Sequence, residues 1–276
     1  GTVANTTAVN SYVNGIKVNT ESISNDQLLC QKADPRVLTA NCCLRTEFLD
    51  EFDLSYRDVC PVNTATASTP IKINDAETLG KIGKHPDYPL DGTYQQTADI
   101  FVTKDYQTIG NETHPFTGEY DGQDRTISGL SDCFVDTLEG SISDLHFTRA
   151  NITNSRKTTG LAACVVDVNG AVSNIRAENV HIVTSGEDAY AGIGGGRVKG
   201  TVANTTAVNS HVRTEGGGAY AGIGGGRVKG TVANTTAVNS HVTTSGDGAD
   251  AGIGAGYVKG TVANTTAVNS HVTTSG

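Results

Sequence analysis

Apolar residues recur in this chain at a fixed spacing, and that spacing predicts the fold before any motif is read. Val172, Val202, Val232 and Val262 fall in one column of a 30-residue period, with Ile142 beside them. Ile182, Val212, Val242 and Val272 form a second column, joined by Ile152. Ile193, Ile223 and Ile253 form a third, and Val198, Val228 and Val258 a fourth. The polar frame repeats with them. GTVANTTAVNSHV occupies 200–212, 230–242 and 260–272, and the near copy GTVANTTAVNSYV opens the chain at 1–13. A period of about 20–50 residues marks a stacked repeat. The rungs begin at Gly140, Gly170, Gly200, Gly230 and Gly260.

Helical repeats need long stretches with apolar residues at i, i+3, i+4 and i+7. These rungs offer Thr, Val, Asn, Ala and Gly instead, with runs such as GGGAYAGIGGG. Each Gly costs a helix about 1 kcal/mol. Short β-branched runs broken by Gly and Asn suit strands and tight turns. At about 3.3 Å per strand residue, a 30-residue period makes a coil of about three short strands and their bends. Successive coils then stack about 4.8 Å apart. The pattern predicts an all-β fold, a right-handed parallel β-helix (β-solenoid) with 30-residue coils, plus a small Cys-containing insert with some helix. Handedness follows from the preference of parallel crossovers.

Four segments are expected. Residues 1–13 are an isolated repeat rung, the end of an upstream array. Residues 14–67 are a disulfide-containing insert or linker. Residues 68–139 are an N-terminal cap and the first irregular coils, and 140–276 are the regular repeats. The insert holds Cys30, Cys42, Cys43 and Cys60. Closely spaced cysteines in a short, core-poor stretch favour disulfides, with three pairings open and a metal site as the alternative. No CxxC pair and no His accompany them, which weighs against zinc. ADPRVLTANCCLRTEFLDEF, from Ala33, is the best helical candidate, with Asp34 as cap and Pro35 at the first position. A second, short helix is expected after Asn74, with Asn74 and Glu77 as a capping box and Leu79 and Ile82 packing it down. Cys133 and Cys164 occupy related places on neighbouring coils and are expected within bonding reach.

IKINDAETLGKIG, then LDGTYQQTADI, then TIGN, then FTGEYDGQDRTISGL resemble the opening of GLUG-repeat proteins. AGIGGGRVKGTVANTTAVNSHV is similar to the GLUG repeat itself, with GIG where the family usually has GL followed by Val or Phe and Gly. The resemblance spans about 68–276 and the first 13 residues. It implies a secreted or surface-attached bacterial protein, large and modular, and brings no catalytic residues. The repeats here are unusually identical, and the cysteine insert is outside the family pattern.

Composition narrows the rest. The chain has 276 residues, 37% hydrophobic but only 5% aromatic, which suits a thin elongated core. Its net charge of −9 argues against a nucleic-acid partner. No apolar run approaches the ~18 residues of a membrane span. There is no Met, so the chain reads as a processed or excised piece.

Candidate chemistry is sparse. The glycine runs at 192–196 and 222–226 lack the GK[ST] of a phosphate loop and the spacing of a dinucleotide fingerprint. His181, His211, His241 and His271 stack in one outward column, but no carboxylate or Cys column joins them, so no metal is expected. Arg197, Arg227, Lys199, Lys229 and Lys259 form a basic stripe, read as solubilising surface or as a contact for an anionic glycan or partner. Asn204, Asn234 and Asn264 are either glycosylation acceptors or a stacked amide ladder. The adjacent Thr205 and Thr206 point to opposite faces, so no flat threonine plane forms. Acidic residues scatter between a turn-like Glu119, Asp121 and Asp124 and a rung bend at Glu187, Asp188, Asp247 and Asp250. No paired carboxylates assemble. No catalytic residue and no cofactor are expected.

The sequence therefore points to a non-catalytic extracellular repeat module, a stalk or adhesin-like segment with a glycan or cell-surface partner. The alternatives are a fibre subunit polymerising head to tail and, less favoured, a polysaccharide-active enzyme. In the fibre reading Val3, Ala8 and Val13 of the first fragment stack on Val262, Ala267 and Val272 of the last rung.

Overall fold

The structure, a computed structural model, describes residues 69–275 together with two short strands, Ser11–Val13 and Ile16–Val18. By its contacts the chain divides into Gly1–Thr69 and Pro70–Gly276. In the first unit Ser11–Val13 pairs antiparallel with Ile16–Val18, Val13 facing Ile16. Ser11–Val13 carries the array's sequence, yet here it meets its own chain neighbour in an antiparallel ladder, unlike the parallel ladders of the array. Val3, Ala8, Cys30, Cys42, Cys43, Cys60 and the helical candidate at 33–52 lie outside the described residues.

The second unit is an all-β parallel solenoid. Each regular coil holds four strands, one more than the strand arithmetic suggested. In one coil these are Thr201–Val208, His211–Thr214, Tyr220–Gly222 and Gly225–Val228. Asparagine makes one bend inside the longest strand of each coil and another just after it. Asn204 bends the first strand at φ 54°, and Asn174, Asn234 and Asn264 do the same in their coils at 54–55°. A second column, Asn179, Asn209, Asn239 and Asn269, turns the chain after that strand at φ 47–55°. Asn tolerates this left-handed conformation better than other side chains because its short amide bonds locally.

Pairing is in register at a 30-residue step. Val172, Val202, Val232 and Val262 are direct partners, as are Ile182, Val212, Val242 and Val272. All but the members of the last coil are buried. In that coil Val272 is 45% exposed, and Val258, at the end of the coil before it, is 46% exposed. Between Tyr94, Tyr120 and Ile142 the step is shorter and a register shift falls between Asp121 and Arg125. Glu119, Asp121 and Asp124 thus lie in a ten-residue strand, Glu119–Ser128, rather than a turn. These irregular coils are filled by Tyr94, Phe116, Tyr120, Phe134 and Phe147, with Phe134 edge-on to Tyr120 at 4.9 Å and to Phe147 at 5.6 Å.

The cover on the first coil is a short helix, α1 (Ala76–Gly80). Its cap is Asp75 rather than Asn74. Asp75 is extended and accepts from the Thr78 amide at 2.7 Å, and the Thr78 hydroxyl accepts from the Asp75 amide at 3.3 Å. Glu77 instead pairs with Lys81 at 2.8 Å. Leu79 and Ile82 are buried beneath, as their spacing predicts.

Polar ladders join the coils. Asn204 Nδ2 donates to Asn174 Oδ1 at 2.8 Å, Asn234 to Asn204 at 2.8 Å, and Asn264 to Asn234 at 3.0 Å. Of the two sequence readings, the amide ladder is formed. A second ladder uses buried serine. Ser210 Oγ accepts from the Val180 amide of the coil before it at 3.2 Å and donates to the Val208 carbonyl at 2.9 Å. Ser240 repeats this one coil on. The stack leaves no room for a side chain at the coil junction. A Cβ on Gly230 would sit 2.0 Å from the Gly200 carbonyl oxygen. Cys133 and Cys164 stack on adjacent coils with Cα atoms 5.6 Å apart and are disulfide-bonded.

Two outcomes are expected. Gly230→Ala forces coils apart and lowers the urea midpoint by an amount worth about 1–3 kcal/mol, while Gly80→Ala, with nothing within 4 Å of its new Cβ, leaves it unchanged. Replacing both Cys133 and Cys164 by Ala opens a loop of 31 residues and costs about 2–4 kcal/mol, read from the same denaturation curves.

Candidate functional site

The outer surface has two chemically distinct columns. The first is histidine. His181, His211, His241 and His271 are direct strand partners. Ring centroids lie 5.2, 6.1 and 5.2 Å apart along the column. Val212 points inward, so its neighbours His211 and Arg213 point out, as alternation requires. His211 bonds Thr243 Oγ1 at 3.1 Å, and Arg213 pairs with Glu215 at 3.2 Å. Among the described residues no three imidazoles bring a nitrogen each to one point. The one cluster of ligand type among the described residues is Asp132 with Cys133 and Cys164, whose sulfurs are spent on their disulfide.

Burial, then the neighbouring His181 and His241 and the Arg213 guanidinium, holds the His211 pKa below the ordinary imidazole value. The unfolded chain therefore takes up this proton at a higher pH than the folded one. Stability owed to neutral His211 is complete above about pH 6.5 and is lost as pH falls below it towards the depressed folded value. His146 behaves alike, through burial and then Arg176. Urea midpoints at neutral and mildly acidic pH are expected to differ less in His211→Gln than in the native chain, with part of the slope retained.

The second column is the basic stripe, and the structure joins it to tyrosine. Val165, Arg197, Arg227 and Tyr257 are successive partners on one sheet. Tyr190, Tyr220 and Asp250 are successive partners on the sheet beside it. Asp250 thus sits in a strand, one place beyond the bend expected for it. Tyr190 and Tyr220 stack at 5.6 Å and 10°, and Tyr220 stacks on Tyr257 at 4.8 Å and 26°. The Arg227 guanidinium lies between rings, 5.3 Å from Tyr190 and 5.5 Å from Tyr257. Its Nη1 also donates to Tyr190 Oη at 2.9 Å.

A cleft of about 490 Å³ opens beside this ladder, lined among others by Glu112, Asp136, Lys157, Asp167, Tyr190, Arg197, Lys199 and Arg227. Lys199 Nζ donates to Asp167 Oδ2 at 2.6 Å. Burial pushes the Asp167 carboxyl up, but the Lys199 bond, the Val168 amide and the Arg197 charge outweigh it, and its pKa falls. Asp136 goes the other way. Burial raises it, and the Thr137 hydroxyl and Arg156 only partly offset this. Nε of Arg197 and Nε of Arg227 are buried with no hydrogen-bond partner among the described residues. Lys229 and Lys259 continue the stripe in the open. Arg227 first, then Arg197, holds the Lys229 ammonium below its usual pKa.

The expected residues Arg197, Arg227, Lys199, Lys229 and Lys259 therefore share one face. Sequence reading missed Tyr190, Tyr220 and Tyr257 and the acidic residues that complete the cleft. A signal was present: Tyr190 and Tyr220 keep the same period, and Tyr257 falls in the column of Arg197 and Arg227.

No family model matches this chain, and no curated protein matches it in sequence. A solved structure does resemble it: the crystal structure of a Bacteroides ovatus protein described as a putative immunoglobulin A1 protease. The TM-score is 0.60 at 18% identity, over 74% of this chain and 77% of that one. At that identity the likeness shows a shared β-solenoid fold alone.

Proposed function

We propose that this chain is a non-catalytic extracellular repeat module, a stalk-like or adhesin-like segment of a secreted or surface protein. The observation that carries the reading is the interchangeability of its coils. Thr201, Thr231 and Thr261 are partners, as are Thr206, Thr236 and Thr266, so successive coils present the same residue at the same place. A face built this way adds reach, about 4.8 Å for each coil, without adding a new site. The disulfide between Cys133 and Cys164 supports an oxidising compartment. Membership of the GLUG-repeat family belongs to the same reading, on the motif series from Ile71 to Leu130.

One observation favours a second reading, an enzyme acting on a polysaccharide. Asp136 and Asp167 line one cleft with pKa values displaced in opposite directions. Such a split separates an acid from a base. Asp167 is already engaged by Lys199, however, which leaves it poorly placed to take a proton.

Removing one coil tests the first reading. Deleting residues 201–230 joins Gly200 to Thr231 in the same register. The shortened chain is expected to fold, and X-ray scattering is expected to show the solenoid shorter by about 4.8 Å. A deletion that abolishes folding, or release of sugar fragments from a polysaccharide by the native chain but not by Asp136→Asn, contradicts it.

A further inference from the structure

We propose that the groove carrying Arg197, Arg227, Lys199 and the tyrosine ladder binds a linear uronate polysaccharide laid along the coil axis. This stands independently of the spacer reading, since binding without cleavage and coil deletion are measured separately.

The geometry selects the ligand in three steps. The first is charge. Arg197 and Arg227 are direct partners on adjacent strands, and Lys199, Lys229 and Lys259 follow one another at the same coil position. A polymer running along the axis meets a cation about every 4.8 Å. Lys199 is paired with Asp167, but among the described residues Arg197, Lys229 and Lys259 have no carboxylate within ion-pair distance. Crowding by Arg227 and Arg197 depresses the Lys229 pKa. An anion seated among them relieves that repulsion. Arg197 and Arg227 both line the cleft, and a carboxylate is the acceptor that a guanidinium fork matches with two parallel bonds.

The second step is the aromatic surface. Tyr190, Tyr220 and Tyr257 stack on one another, and Arg227 covers ring faces of Tyr190 and Tyr257. What the ladder offers a ligand is ring edges and hydroxyls. Nucleic-acid bases need open aromatic faces to stack on, and each of these rings already has a face against another ring. Phenol hydroxyls in a row suit a ligand rich in hydroxyls.

The third step is charge density. Glu112, Asp136 and Asp167 line the same cleft. They repel a densely charged polymer such as a polysulfate more than a chain with one carboxylate per sugar. The protein's net charge of −9 acts in the same direction. A carbohydrate with single, regularly spaced carboxylates satisfies all three conditions.

Affinity electrophoresis of the full chain through gels containing polygalacturonate tests this. Retardation is expected in polygalacturonate, with none in neutral dextran and less in dextran sulfate or single-stranded DNA. Arg197→Gln with Arg227→Gln is expected to weaken binding about tenfold or more. The Arg227 side chain packs against Tyr190 and Tyr257, so a second variant is needed whose folding is not in question. Lys229→Gln with Lys259→Gln alters only exposed side chains and is expected to lose a smaller, salt-dependent share of affinity, about threefold. The Lys229 ammonium, followed by NMR, is expected to rise in pKa when polygalacturonate binds. Equal retardation by dextran, dextran sulfate or DNA, or unchanged binding in both double variants, overturns the proposal.

Discussion

Every feature of the solenoid depends on one constraint, the in-register stacking of like on like. A coil has no core of its own; it buries Val202 or Ile223 only because the same residue lies directly above and below. Backbone donors and acceptors are satisfied in the same direction, from coil to coil, as when the Thr231 amide reaches the Gly200 carbonyl at 2.9 Å. A slip of one residue would turn the Val202 column out and the Thr201 column in. The serine and asparagine ladders work against such a slip, because Ser210 Oγ and Asn204 Nδ2 find partners only in one register. The glycine column works against it too. Gly200, Gly230 and Gly260 mark the points where successive coils approach too closely for a Cβ.

The same constraint dictates the surface chemistry. Stacking like on like places like charges side by side, an arrangement that chains normally avoid. This fold disperses the charge in different ways. Arg227 lies against the faces of Tyr190 and Tyr257, where the ring quadrupole attracts a cation. Lys199 reaches Asp167, the acidic residue at the equivalent place one coil earlier. Lys229 has neither arrangement and its pKa drops. Histidine meets the problem by titration, with His211 held towards its neutral form by burial first and then by the imidazoles on either side. The basic groove is therefore a consequence of repetition, partly neutralised from within and open to an anion from outside.

Much of this was legible in the sequence. The inward columns, the coil length and the outward histidines follow from the 30-residue period and the alternation along strands, and the Cys133–Cys164 pair from the related sequences GLSDCFVD and GLAACVVD around the two residues. The serine ladder was not legible, because Ser210 lies beside a turn where alternation gives no rule for burial. The bend inside the longest strand was hidden as well. Asn204 reads as a turn residue, yet it bends a single strand through a left-handed conformation without ending it. The cap of α1 shows how close two readings can lie. Asn74 and Asp75 both satisfy capping preferences, and the reach of the Thr78 hydroxyl decides for Asp75. The tyrosine ladder escaped because Tyr190 and Tyr257 come from different sheets. Their contact depends on how two strands meet across a corner, which spacing along the chain does not encode.

The central claim is that residues one period apart are direct neighbours, so that columns in the sequence are columns in space. Nitroxide labels at Thr206 and Thr266, two coils apart in the same column, test it most directly. Dipolar broadening is expected to report a backbone separation of about 10 Å, two strand spacings. A separation beyond about 20 Å, more than twice what two stacked coils span, contradicts the account.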